Sequence, residues 1–163
     1  MSKQQFSLQE EQYFTLLGKV GLVVHLSQMI EYNIANILAL DELCENFYKS
    51  KNMSYKKFNN ISQKAEKWYH ILECKPLGYG LKKAQEHGYF VQQSQNRLDE
   101  MCDERNYVVH QLFKEDLQMN LIETNPTFYY ERLENLIEEM SLINEDLAKI
   151  MKDEQQRYNN LFN

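Results

Sequence analysis

The chain has 163 residues, 43% hydrophobic and 26% charged, an ordinary globular usage that argues against disorder. That length suits a single domain over 1–163, and a compact fold of this size buries about 70% of its extended-chain surface without staples. Five Gly and two Pro are too few for the turns of a sandwich or barrel, and 18 basic against 24 acidic residues, net −6, exclude a uniformly basic nucleic-acid coat.

Helical spacing runs through the whole chain. From Leu16 to Phe47 apolar residues recur mostly three or four apart (Leu16, Val20, Val23, Ile30, Ile34, Ile37, Leu38), which predicts an amphipathic helix with a wide buried face. Residues 49–60 are polar and basic without periodicity and read as a loop, followed by a helix over about 60–73. Lys75-Pro76-Leu77-Gly78-Tyr79-Gly80 reads as a turn. A short helix over 81–87 then stops at Gly88.

The next helix is expected over about 90–117, marked by Leu98, Met101, Cys102, Val108, Val109, Leu112, Phe113 and Leu117. Thr124-Asn125-Pro126 gives a helix start, with Pro at the first helical position. The last helix, about 126–162, carries the most regular seam: Tyr129, Leu133, Leu136, Met140, Ile143, Leu147 and Ile150 alternate spacings of four and three. Such a seam suits bundle core; the alternatives are a dimer seam and a partner-binding surface. No segment alternates as a strand does, so the fold class is all-α, an antiparallel bundle of about four long helices and one or two short ones.

Cys44, Cys74 and Cys102 stand far apart without a C-x-x-C, which speaks against a disulfide framework and for a reducing, cytoplasmic compartment. The N-terminal MSKQQFSLQEEQ has no apolar core behind a basic region, so no signal peptide is expected. The longest apolar stretch, Val20 to Leu26, contains Gly21 and His25 and falls short of the roughly 20 residues that span a bilayer. No membrane association is expected.

The common motifs are missing: there is no Gly-rich phosphate loop, H-E-x-x-H, G-x-S-x-G or acidic calcium loop. His25, His70, His87 and His110 show no metal-ligand pairing. No metal and no cofactor is expected.

One segment differs. In Asp103-Glu104-Arg105-Asn106-Tyr107-Val108-Val109-His110, an arginine falls on the stripe Leu98, Met101, Arg105, Val108, Leu112, where a charge is costly unless paired or used. Asn106 and His110 are four apart, about 40° apart on one helix face, whereas Arg105 and His110 are about 140° apart. One helix does not aim both at one atom, but a second copy packed about a two-fold axis supplies the missing group. A guanidinium grips a phosphate and stabilises charge growing in an in-line displacement. An imidazole takes a proton from a ribose 2′-hydroxyl or gives one to the leaving oxygen, and Asn106 supports either group. The plainer reading is a helix-buried ion pair of Arg105 with Glu31 or Asp103 and a structural His110.

Arg105-Asn106-Tyr107-Val108-Val109-His110 resembles the R-N-x-x-x-H motif of the HEPN superfamily (higher eukaryotes and prokaryotes nucleotide-binding). The flanks Leu98-Asp99-Glu100 and Gln111-Leu112-Phe113 are similar to members of that group, as is Gln28-Met29-Ile30-Glu31-Tyr32 in the first long helix. The resemblance implies a helical bundle, a homodimer with both motifs in an interface cleft, and metal-free endoribonuclease activity in toxin–antitoxin, abortive-infection or other antiphage systems. It makes Arg105 and His110 the catalytic pair and Asn106 the supporting residue. Glu31, Asp103 and Glu104 are then the carboxylates expected around the pair. RNA is the expected substrate, and an antitoxin or defence-system protein the expected partner. HEPN toxins paired with a nucleotidyltransferase often carry tyrosine two residues after the histidine; here that residue is Leu112, so regulation by nucleotide transfer is not expected.

Lys51, Lys56, Lys57, Lys64 and Lys67 interleave with Tyr55, Phe58 and Trp68. Tyr55, Lys56, Lys57, Lys64 and Lys67 are therefore RNA-binding candidates, with aromatics stacking on bases. The plainer reading is a solvated loop whose aromatics pack inward. Two functions compete: the ribonuclease, and a non-catalytic helical module (adaptor, antitoxin-like partner or nucleotide sensor).

Overall fold

The computed structural model describes residues 8–50, 54–90, 95–116 and 121–162. These are α-helical almost throughout, with no strand among the described residues. The helices are α1 (Leu8–Tyr48), α2 (Tyr55–Glu73), α3 (Leu77–Glu86), α4 (Gln95–His110), the short α5 (Leu121–Thr124) and α6 (Pro126–Asn159), with a π-helical turn over Leu112–Asp116.

The all-α bundle is thus as the periodicity dictates. Leu16, Val23, Ile30, Ile34, Ile37 and Leu38 of α1 are buried, as are Tyr129, Leu133, Leu136, Met140, Ile143 and Leu147 of α6. The regular seam of α6 is bundle core. Each buried Leu, Ile or Met of this kind contributes about 1.5–3 kcal/mol.

Several boundaries depart from the sequence reading. The 49–60 segment is not all loop, because α2 begins at Tyr55. The Ser54 hydroxyl accepts from the Lys57 backbone N–H at 3.3 Å, supplying the cap that polar composition concealed. Gly78 and Gly80 lie inside α3, which starts at Leu77. A Cβ on Gly80 would stand 3.3 Å from Leu72 Cδ2 and 3.6 Å from Ile34 Cδ1, so glycine here permits close helix approach. Gly88, at φ +84°, ends the α3 segment as expected. α4 is shorter than the expected 90–117, stopping at His110 before the π-helical turn. Residues 91–94, Leu117 and Lys51 lie outside the described residues.

The expected antiparallel order holds for only some pairs. Arg105 meets Ser27 and Phe113 meets Tyr13, so α4 runs antiparallel to α1 toward the π-helical turn. Glu104 meets Arg132 and Arg97 meets Glu139, so α4 is also antiparallel to α6. α6, however, runs parallel to α1: Lys19 pairs with Glu134, Asn33 with Asn144 and Asp41 with Arg157. The ten-residue α3 supplies the extra reversal. It returns the chain alongside α1, with His87 Nδ1 2.9 Å from Asp41 Oδ2. Arg157 bridges Asp41 at 2.9 Å and Glu45 and Glu154 at 3.2 Å, tying together the C-terminal ends of α1, α3 and α6.

α1 as a whole is longer and more apolar than its longest uninterrupted run. It contains an 18-residue window of mean hydropathy 1.3, enough by length and composition to cross a membrane. α1 packs against α2, α3, α4 and α6, and 22% of that window is buried inside the bundle.

Candidate active site

The stripe of α4 that carries the motif faces the core: Leu98, Met101, Val108 and Leu112 are all buried. Arg105 lies on this stripe and is half-buried. Its Nε donates to Ser27 Oγ at 3.1 Å, and its Nη1 donates to Asn106 Oδ1 at 3.1 Å. Ser27 is 1% exposed and donates its own proton to the Val23 carbonyl at 2.8 Å. That donation turns a hydroxyl lone pair toward the guanidinium. Nη2 has no hydrogen-bond partner among the described residues, and the Asn106 NH₂ group is left to donate outward.

Ser27 did not emerge from the sequence reading. The signal is a small polar residue inside the stripe Val23, Ile30, Ile34, where a hydroxyl needs a partner.

Glu31, one turn beyond Ser27, is half-buried, and its charge interacts with that of Arg105. Burial pushes the Glu31 carboxyl above its ordinary value, and the Arg105 charge offsets part of that rise. No ion pair joins the two among the described residues, so neither helix-buried pairing expected for Arg105 is formed. Asp103 is exposed and forms no ion pair with Arg105 among the described residues. Glu104 is a correction: its carboxylate holds Arg132 of α6 bidentately, with Nη2–Oε2 at 2.7 Å. Arg132 also stacks over the Tyr107 ring at 3.9 Å. Glu104 and Asn106 leave α4 about 160° apart, so Glu104 does not serve the Arg105 site.

His110 is exposed at the last residue of α4, on the same flank as Asn106. Its imidazole hydrogen-bonds to no described residue. A single chain therefore anchors the guanidinium and leaves the imidazole uncommitted. A π-helical turn follows directly, an irregularity frequent at functional positions. About 150° around α1 from Ser27, this helix presents an exposed apolar face. Phe14, Leu17, Leu22, Met29 and Tyr32 are exposed, and a Cβ on Gly18 or Gly21 would meet nothing within 4 Å.

The lysine–aromatic candidates lie elsewhere. Tyr55, Lys56, Lys57 and Lys64 are exposed on α2, but Trp68 is buried and Phe58 packs on Phe162. Lys67 is ion-paired with Glu42 at 2.8 Å. The Phe58–Phe162 contact reaches α1 at Phe47, 20 residues and about 30 Å along the helix from Ser27. One chain does not bring this patch to Arg105. His70 lies 4.0 Å from Glu73 and His25 is exposed.

Among the described residues no group of three or more His, Cys, Asp or Glu could hold a metal ion. No family model, curated protein or solved structure matches this chain.

Proposed function

We propose that the chain is a cytoplasmic, metal-independent endoribonuclease of the HEPN type, a homodimer acting as a toxin or antiviral effector. The observation that carries the reading is the mounting of Arg105. A guanidinium fixed through Nε by a buried hydroxyl and through Nη1 by Asn106 keeps Nη2 free for an anionic oxygen. A purely structural arginine in this stripe would be paired with a carboxylate.

In this mechanism a second copy brings His110 to the Arg105 of the first. The imidazole removes the 2′-hydroxyl proton, the 2′-oxygen attacks the adjacent phosphorus, and the bond to the 5′-oxygen breaks. An imidazolium returns a proton to that leaving oxygen. The Arg105 guanidinium and the Asn106 amide donate to the non-bridging oxygens as charge builds there. The products are a 2′,3′-cyclic phosphate and a 5′-hydroxyl. General acid–base help is worth about 10²–10⁴-fold and an oxyanion-type donor about 10²–10³-fold.

The exposed apolar face of α1 offers one surface for the dimer. Between Phe14 and Tyr32 this face also carries the exposed His25 and Gln28 but no Asp, Glu, Lys or Arg, so it meets its own copy without carboxylate or ammonium repulsion. Phe14 to Tyr32 spans about 27 Å of helix. One helix face of that length falls short of the ~800 Å² per partner of a stable interface. A homodimer therefore needs further surface, and in this reading that surface is the flank of α4 with Asn106 and His110, where the two motifs would meet.

The second reading is a non-catalytic interaction module, possessing the fold without the chemistry. The observation favouring it is that His110 has no described partner to orient it. Incubating the protein with single-stranded RNA in excess chelator separates the two. The nuclease leaves cyclic-phosphate ends that vanish in Arg105→Ala and His110→Ala. A module leaves the RNA intact, while those substitutions alter only stability or partner binding.

A further inference from the structure

The opposite flank of α4 carries a feature the nuclease reading does not use. Between α4 and α6 lies a groove of about 480 Å³. Met101 and Leu136 form its buried floor, and Phe128, half-exposed, stands at one end. A second depression of about 350 Å³ shares Glu100, Asn135 and Glu139 and continues the groove to the exposed Leu142. The floor is apolar and the rim is acidic. Glu104 and Glu139 are neutralised by Arg132 and Arg97. Glu100, Glu131 and Glu138 are exposed and have no ion-pair partner among the described residues.

We propose that this groove docks a basic amphipathic helix or strand of a partner protein, its apolar residues on Phe128, Met101, Leu136 and Leu142 and its Lys or Arg residues against Glu100, Glu131 and Glu138. Charge decides the class of occupant. Three uncompensated carboxylates repel RNA, acidic segments and anionic membrane surfaces, and attract cations. The apolar floor decides against a purely ionic ligand such as a polyamine, which would leave Phe128 and Leu142 in water. A second copy of this chain, at net −6, is also disfavoured. Glu104 and Asn106 project about 160° apart from α4, so a segment seated here leaves the Arg105 flank open. The proposal therefore stands whether or not the chain cleaves RNA.

The test uses the full chain and three labelled peptides, read by fluorescence anisotropy. The first is an amphipathic helix of Lys and Leu at helical spacing, the second replaces its Leu with Ser, and the third replaces its Lys with Glu. Only the first should bind strongly, and it should weaken as salt rises. Glu100→Gln/Glu131→Gln/Glu138→Gln should weaken it about tenfold, roughly the effect of losing three modest surface attractions. Phe128→Ala should weaken it without changing the salt dependence. A control triple on other faces, Glu11→Gln/Glu66→Gln/Glu73→Gln, should leave binding within about twofold. Equal loss in the control triple, equal binding of the Ser peptide, or full competition by spermine would each overturn the proposal. All the substituted side chains are exposed, so circular dichroism is expected to match wild type.

Discussion

The guanidinium of Arg105 is held by the hydroxyl of Ser27, 78 residues earlier in the chain, at 3.1 Å from Nε. The bond joins α4 to the middle of α1 and fixes the orientation of the guanidinium. Ser27→Ala should therefore lower RNA cleavage about tenfold, the equivalent of one lost charge-assisted hydrogen bond. Ser27→Thr keeps the hydroxyl and should retain most of the rate. Single-turnover cleavage with circular dichroism as a folding control checks this. A rate unchanged in Ser27→Ala would remove the hydroxyl from the arrangement.

The exposed apolar face of α1 makes a second, separable prediction. Leu22 and Met29 are exposed, so Leu22→Glu/Met29→Glu should leave the fold of each chain nearly undisturbed, within about 0.5 kcal/mol per substitution. It should convert the dimer to monomer in sedimentation velocity and abolish cleavage together with it. A dimer that survives both carboxylates would move the interface to another face.

Glu31 gives a pH-dependent prediction. Burial raises its folded pKa above the ordinary value of 4.5 despite Arg105 nearby. A carboxylate so raised contributes most to stability when protonated, and that contribution is lost as pH rises through its folded pKa. Glu31→Gln mimics the protonated form. It should melt higher than wild type at neutral pH, with the gap closing as pH falls below the ordinary carboxylate range. Thermal denaturation across pH reads this directly; a gap that widens in acid would reverse the sign of the shift.

The Glu104–Arg132 pair should prove structural. Arg132→Ala removes a bidentate ion pair and the contact over Tyr107 and should cost about 1–2 kcal/mol by urea denaturation. RNA cleavage per folded chain should stay within about twofold. A loss of cleavage far beyond the loss of stability would return Glu104 to the site.

Helix identity was legible because apolar spacing is a direct consequence of the 3.6-residue turn. Every α6 residue from Tyr129 to Leu147 named from that spacing is buried. Start points were less legible where polar composition hid a local device, as at Ser54, or where glycine serves packing rather than turning, as at Gly80. The parallel run of α1 and α6 was hidden because a ten-residue helix, α3, counts as a full reversal of the chain. At the site, Arg105 and Asn106 stand out by residue type, and the structure joins them. Ser27 was hidden because its role depends on a helix distant in sequence. The part of Glu104 was misread for the reverse reason: one residue before Arg105 it projects about 100° around α4, toward Arg132 of α6.

The most direct measurement of the composite site mixes two inactive chains. Arg105→Ala and His110→Ala protein, combined under conditions that exchange subunits, form heterodimers in which one site has lost both groups and the other has lost neither. Cleavage should return to about a quarter of the wild-type rate, since about half the dimers are mixed and each has one intact site. A mixture as inactive as its parents, with wild type cleaving normally and exchange confirmed, would contradict a site shared between two copies of α4.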